Sequence, residues 1–136
     1  MAQMKKATSI EQSNLLVACG LSWETRDMSW YNTYTDRHVE KNYELFLADV
    51  ATIKNNPYYG TDDFVPAWTA SRLIEIADTV FKDFVVLEIR KDKSFYNCML
   101  FLNIDGERMI YTSLEADLID ALFEVYVKAR DNIIQS

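Results

Sequence analysis

His38 is the only histidine in the chain and therefore its first candidate for acid–base work near neutral pH. It stands in Thr35-Asp36-Arg37-His38-Val39-Glu40, a polar stretch. A general base requires a group that orients it and a reacting group within reach, and no serine or cysteine nucleophile motif supplies either. His38 is read as a surface histidine. Cys19 and Cys98 lie far apart and neither belongs to a C-x-x-C pair. With a single histidine they cannot complete a zinc set unless carboxylates help, so both are read as small buried hydrophobes. Asp62-Asp63 and Asp117 with Asp120 are paired carboxylates, but an oxygen-only metal site requires several converging ligands. The second pair is placed on a solvent-facing helix turn. Asp105-Gly106-Glu107 has a fragment of a calcium-loop pattern without the remaining ligand positions. Three isolated glycines cannot build a phosphate-cradling loop. No catalytic, cofactor-binding or metal residue is expected, and the reading is non-enzymatic.

Aromatic residues offer a different chemistry. The chain has eight Tyr, seven Phe and three Trp, and Trp30, Tyr31, Tyr34, Tyr43, Tyr58 and Tyr59 all precede Pro66. Aromatic side chains with a polar tip are enriched at protein interfaces. Trp30, Tyr31, Tyr34, Tyr58 and Tyr59 are therefore the candidate interaction surface, for a protein partner or a second copy of the chain. Ordinary packing around a small sheet is the alternative.

Charge narrows the partner. The net charge is −7, with the excess in 43–78 (six acids, two bases) and 113–136 (five acids, two bases). Phosphate-backbone binding draws its affinity from Lys and Arg displacing counterions, so a nucleic-acid partner is disfavoured. No run approaches the ~18 apolar residues of a membrane helix, and no apolar stretch follows Lys5-Lys6 as in a signal peptide. The expected compartment is the cytoplasm.

The elements that position these residues follow from caps and periodicity. At 136 residues, 49% apolar and 26% charged, the chain fits one globular domain over 1–136 with a disordered tail over 1–7. Thr8 with Glu11, or equally Ser9 with Gln12, forms a capping box for a helix over 9–19 that Gly20 ends. Residues 28–34 alternate as a strand, with 43–47 as its antiparallel partner; a helix over 39–53 is the competing assignment. Residues 54–63 have loop composition. Pro66 makes the preceding backbone extended, Thr69 caps a short helix to about 77, and Trp68 staples onto Leu73. That helix should bury Leu73, Ile74 and Ala77. A strand over 84–90 should turn Val85, Leu87 and Ile89 to one side, and a strand over 95–104 should turn Cys98, Leu100, Leu102 and Ile104 to one side. Asp105-Gly106 predicts a type I′ hairpin into a strand over 107–112. Thr112-Ser113-Leu114-Glu115 reads as a capping box for the longest helix, over 113–132, with Leu114, Leu118, Ala121, Leu122, Val125 and Ala129 inward. The expected fold is α+β: an antiparallel β-meander of three to five strands with helices packed on one face.

Two segments carry a resemblance. Ser9-Ile10-Glu11-Gln12-Ser13 leading to Cys19-Gly20-Leu21 and Asp27-Met28-Ser29-Trp30, and then Pro66-Ala67-Trp68-Thr69 with Ser71-Arg72-Leu73, resemble small uncharacterised proteins of Bacteroides-type prophages and mobile elements. The resemblance implies a meander running into a C-terminal helix and brings no activity, cofactor or site residue with it. The chain departs from the pattern at Asp78-Thr79-Val80, where a proline is expected. The leading expectation is an accessory protein of a phage or mobile element acting by protein contact. The alternative is an acidic inhibitor that imitates DNA charge, which requires the acids of 43–78 and 113–136 to share one surface; third is a small enzyme, which requires a pocket containing His38 or a carboxylate pair.

Overall fold

Thr8 and Ser9 compete to start the first helix, and their surroundings decide between them. In the computed structural model, which describes residues 5–32, 42–47 and 64–134, Ser9 caps α1 (Ile10–Ala18). Its Oγ accepts from the Gln12 amide (3.1 Å), and Gln12 Oε1 accepts from the Ser9 amide (3.0 Å). Thr8 is fully buried instead, with its hydroxyl bonded to Ser13 Oγ and accepting from the Trp68 amide. Gly20, at φ 107°, ends α1: its amide donates to the Val17 carbonyl while that of Leu21 reaches back to Leu16. This double closure is the Schellman arrangement, and its apolar pair, Leu16 and Leu21, joins the core.

Three short strands follow. β1 (Met28–Asn32) pairs antiparallel with β2 (Tyr43–Leu47) and with β3 (Phe64–Ala67), in the order β2-β1-β3. Trp30 lies opposite Leu45 and Val65. The strand assignment of 43–47 therefore holds, and a helix through those residues is ruled out by the ladder. Pro66 sits in β3, an edge of this sheet, where a missing amide is tolerated.

Trp68 and Thr69 then open α2 (Ala70–Val80) as expected. Thr69 Oγ1 accepts from the Arg72 amide (3.2 Å), and Trp68 and Leu73, neither with exposed surface, share one core cluster as a staple requires. The helix runs three residues beyond expectation. Its buried stripe is Leu73, Ile76, Ala77 and Val80, so Ile74, expected inside, points outward at 41% exposure. Including Val80 fixes the helical phase, because 73, 76, 77 and 80 complete two turns on one side.

The second sheet is a meander of β4 (Phe84–Lys91), β5 (Tyr96–Ile104) and β6 (Glu107–Glu115). Asp105 (φ 52°) and Gly106 (φ 82°) both take positive φ, as a type I′ turn demands. Cys98, Leu100 and Leu102 point inward and are fully buried. A register shift between Phe84 and Val86 overturns the placement of Val85: the bulge puts two residues where one was counted. Leu87 and Ile89 pack on the core, while Val85 and Val86 stay exposed.

β6 carries the second correction. Thr112-Ser113-Leu114-Glu115 is strand rather than cap, because β5 offers ladder partners as far as Tyr96, opposite Glu115. Leu114 accordingly leaves the helix stripe and lies 57% exposed, and Ser113 donates from the strand to the Ala121 carbonyl (2.7 Å). The cap of α3 (Leu118–Lys128) is Asp117, whose Oδ1 accepts from the Ile119 amide (2.9 Å). α3 equals α2 in length, and a 3-10 turn (Arg130–Asn132) extends the C-terminal helical run further. Ala121, Leu122, Val125, Tyr126 and Ala129 form its buried side.

Two antiparallel sheets and three helices make an α+β fold. Its core lies between the inner face of β4-β5-β6 and the helices, and Trp68 belongs to it. Tyr126 ties two helices together, its hydroxyl donating to the Leu73 carbonyl (2.5 Å) in a fully buried position. Tyr126→Phe removes that bond while the Leu73 carbonyl keeps its helical partner inside α2, and should cost about 0.5–1.5 kcal/mol. Urea unfolding reads this directly, and an unchanged midpoint would show that the bond contributes nothing.

Candidate interaction surface

Trp30 and Tyr31 are the two members of the expected aromatic surface within the described residues; Tyr34, Tyr58 and Tyr59 lie outside them. Alternation along β1 sends the pair to opposite faces. The Trp30 indole N–H donates to the Thr8 carbonyl (2.9 Å), on the α1 side of the sheet. The Tyr31 ring stands edge-on to Phe64 (5.0 Å) and Phe46 (5.5 Å). Burial pushes its phenol above the ordinary range, against the opposing pull of Arg26. Arg26 is nearly buried, stacked 4.7 Å over the Phe64 ring, with its Nη1 donating to the Trp23 carbonyl and Nε to Ser29 Oγ. Both residues are half-buried and engaged inside the chain.

His38, Asp62 and Asp63 lie outside the described residues, as does the loop expected over 54–63. Cys98 is fully buried, and desolvation pushes its thiol up to about 11, so it stays protonated at neutral pH. Cys19 is raised by the same cause. Asp117 and Asp120 do not face solvent as a pair. Asp117 Oδ2 accepts from the Lys5 amide (3.0 Å), and Asp120 Oδ1 accepts from Lys5 Nζ (2.6 Å) and Gln12 Nε2 (2.7 Å). These contacts anchor the chain from Lys5 onward, and Ala7 behind it is buried. Glu124 pairs with Lys128 (3.1 Å), and its carboxylate raises the neighbouring Glu115 carboxyl above the ordinary range. Much of the α3 acidity is thus partnered within the chain. No group of three His, Cys, Asp or Glu among the described residues is placed to hold a metal ion.

What stands open is the outer face of the C-terminal sheet. The ladders align Val86, Phe101 and Ile110 in one row, Glu88, Met99 and Thr112 in the next, and Arg90, Asn97 and Leu114 in the third. Val86, Ile110 and Leu114 are 38%, 53% and 57% exposed, with Phe101 and Met99 half-buried between them. No described helix or strand covers this face. No family model, curated protein or solved structure matches the chain. No described helix is long and apolar enough to cross a membrane.

The strand edges are less inviting than the face. β4 is bulged and charged at Glu88, Arg90 and Lys91, while on β6 the Thr112 carbonyl is taken by Lys128 Nζ (2.7 Å). Bulges and lysines are the means by which sheets discourage strand addition. Sequence reasoning missed the face because each strand reads as alternating. Which apolar set is covered depends on which side the helices take.

Proposed function

We propose that the protein acts by protein contact, without catalysis, and that the outer face of β4-β5-β6 is the contact surface. The resemblance of its N-terminal and central segments sets the context as an accessory protein of a phage or mobile element. The observation that carries the reading is the exposed row Val86-Phe101-Ile110, continued by Met99 and Leu114. A contiguous apolar patch on a sheet, rimmed by charge, is characteristic of a surface that another protein covers. A photo-crosslinking residue installed at position 110, in cells that make the protein natively, should give discrete higher-mass adducts. The same residue at position 75, exposed on α2, should give none. Adducts from both sites alike, or from neither, would sink the proposal.

A further inference from the structure

The size and charge of this face single out one kind of partner. We infer that the outer face of β4-β5-β6 receives a single amphipathic helix of another protein, with acidic residues along its polar flank. This rests on the contact reading above and specifies the partner. Strands of eight or nine residues at ~3.4 Å per residue and ~4.8 Å apart give a face ~30 Å long and ~14 Å wide. That is a footprint of ~430 Å², well short of the ~800 Å² per partner that stable protein pairs usually bury. Two copies stacked through this face alone would be underprovided. A helix ~10–12 Å across fits the width, and ~20 residues of it span the length. The inner face of the same sheet is already covered by helices in this way.

Charge sets the flank. Arg90, with its side chain 74% exposed, and Arg108, on β6 opposite Asn103, mark diagonal corners of the outer face. Among the described residues that the ladders place on this face, Glu88 is the one carboxylate, 3.8 Å from Arg90. Two arginines against one glutamate make this face positive on an acidic protein. Carboxylates flanking a helix's apolar stripe would meet both arginines, and lysines there would be repelled.

The test uses the full chain, ¹⁵N-labelled, and two synthetic 20-residue helical peptides sharing one leucine stripe, one flanked by Glu and the other by Lys. The Glu peptide should shift the amides of Val86, Met99, Phe101 and Ile110 and bind about fivefold more tightly than the Lys peptide. The double variant Arg90→Glu/Arg108→Glu should reverse that preference. Equal affinities for the unsubstituted chain, or shifts centred elsewhere, overturn the inference. So does slowed amide exchange at Arg108 and Ile110 on peptide binding, which would mean strand addition at the β6 edge. Concentration-dependent shifts of this face without peptide would identify a second copy as the occupant and overturn it too. Crosslinks at position 110 without the charge preference would leave the contact surface standing and remove only the helix.

Discussion

Trp68→Ala is expected to lower stability by about 3–5 kcal/mol, the range for emptying a buried aromatic site. For a chain of this length that amounts to a fall of roughly 10–20 °C in melting temperature. Trp68 has no exposed surface and sits where three segments meet. Its backbone exchanges bonds with Thr8, amide to Oγ1 (3.1 Å) and carbonyl from the Thr8 amide (2.9 Å). Its indole N–H donates to Thr25 Oγ1 (2.9 Å), and beside it Asp27 Oδ1 accepts from the Thr69 amide (2.9 Å) while Oδ2 takes the Thr69 hydroxyl (2.5 Å). Alanine keeps the backbone bonds and loses the ring, so the cost is the cavity plus the indole bond to Thr25, whose hydroxyl still donates to the Ser22 carbonyl (2.7 Å). Trp68→Phe refills most of the volume and should recover more than half of the loss. Thermal melts of the two variants separate packing from hydrogen bonding. A Trp68→Ala protein that melts with the unsubstituted chain would refute the anchoring role.

The second large effect contrasts the two faces of one sheet. Leu100→Ala, on the inner face of β5, should cost about 2–5 kcal/mol, because the residue is fully buried among the helices. Ile110→Ser, on the outer face of β6, should change stability by about 0.5 kcal/mol or less, as exposed substitutions do. Chemical denaturation of both variants gives the difference directly. If Ile110→Ser costs as much as Leu100→Ala, the outer face is covered within the folded chain, and the contact proposal loses its surface. If Leu100→Ala is nearly neutral, the inner face is not the core.

Local signals were legible in the sequence, since each depends on a few neighbouring residues. Ser9 with Gln12, Gly20, Thr69 and the Asp105-Gly106 turn act where their positions indicate, because caps and tight turns are settled by backbone geometry within one turn of chain. The α+β class followed from the same signals. The failures share a cause. Thr112-Ser113-Leu114-Glu115 has the composition of a cap, but a nine-residue neighbour strand offers it a ladder, and distant hydrogen bonds outweigh a local preference. Asp117 and Asp120 looked solvated because Lys5 and Gln12, more than a hundred residues away, cannot be seen from α3. Val85 was placed inward because strict alternation has no room for a bulge.

The sequence by itself therefore determined where the first two helices begin and where the hairpin turns. Tertiary structure alone decided that Trp30 and Tyr31 pack within the chain. It also decided that Val86, Phe101, Ile110 and Leu114 share an open face. The physical reason is that a strand's alternation offers two faces, and only packing selects the one that three helices bury.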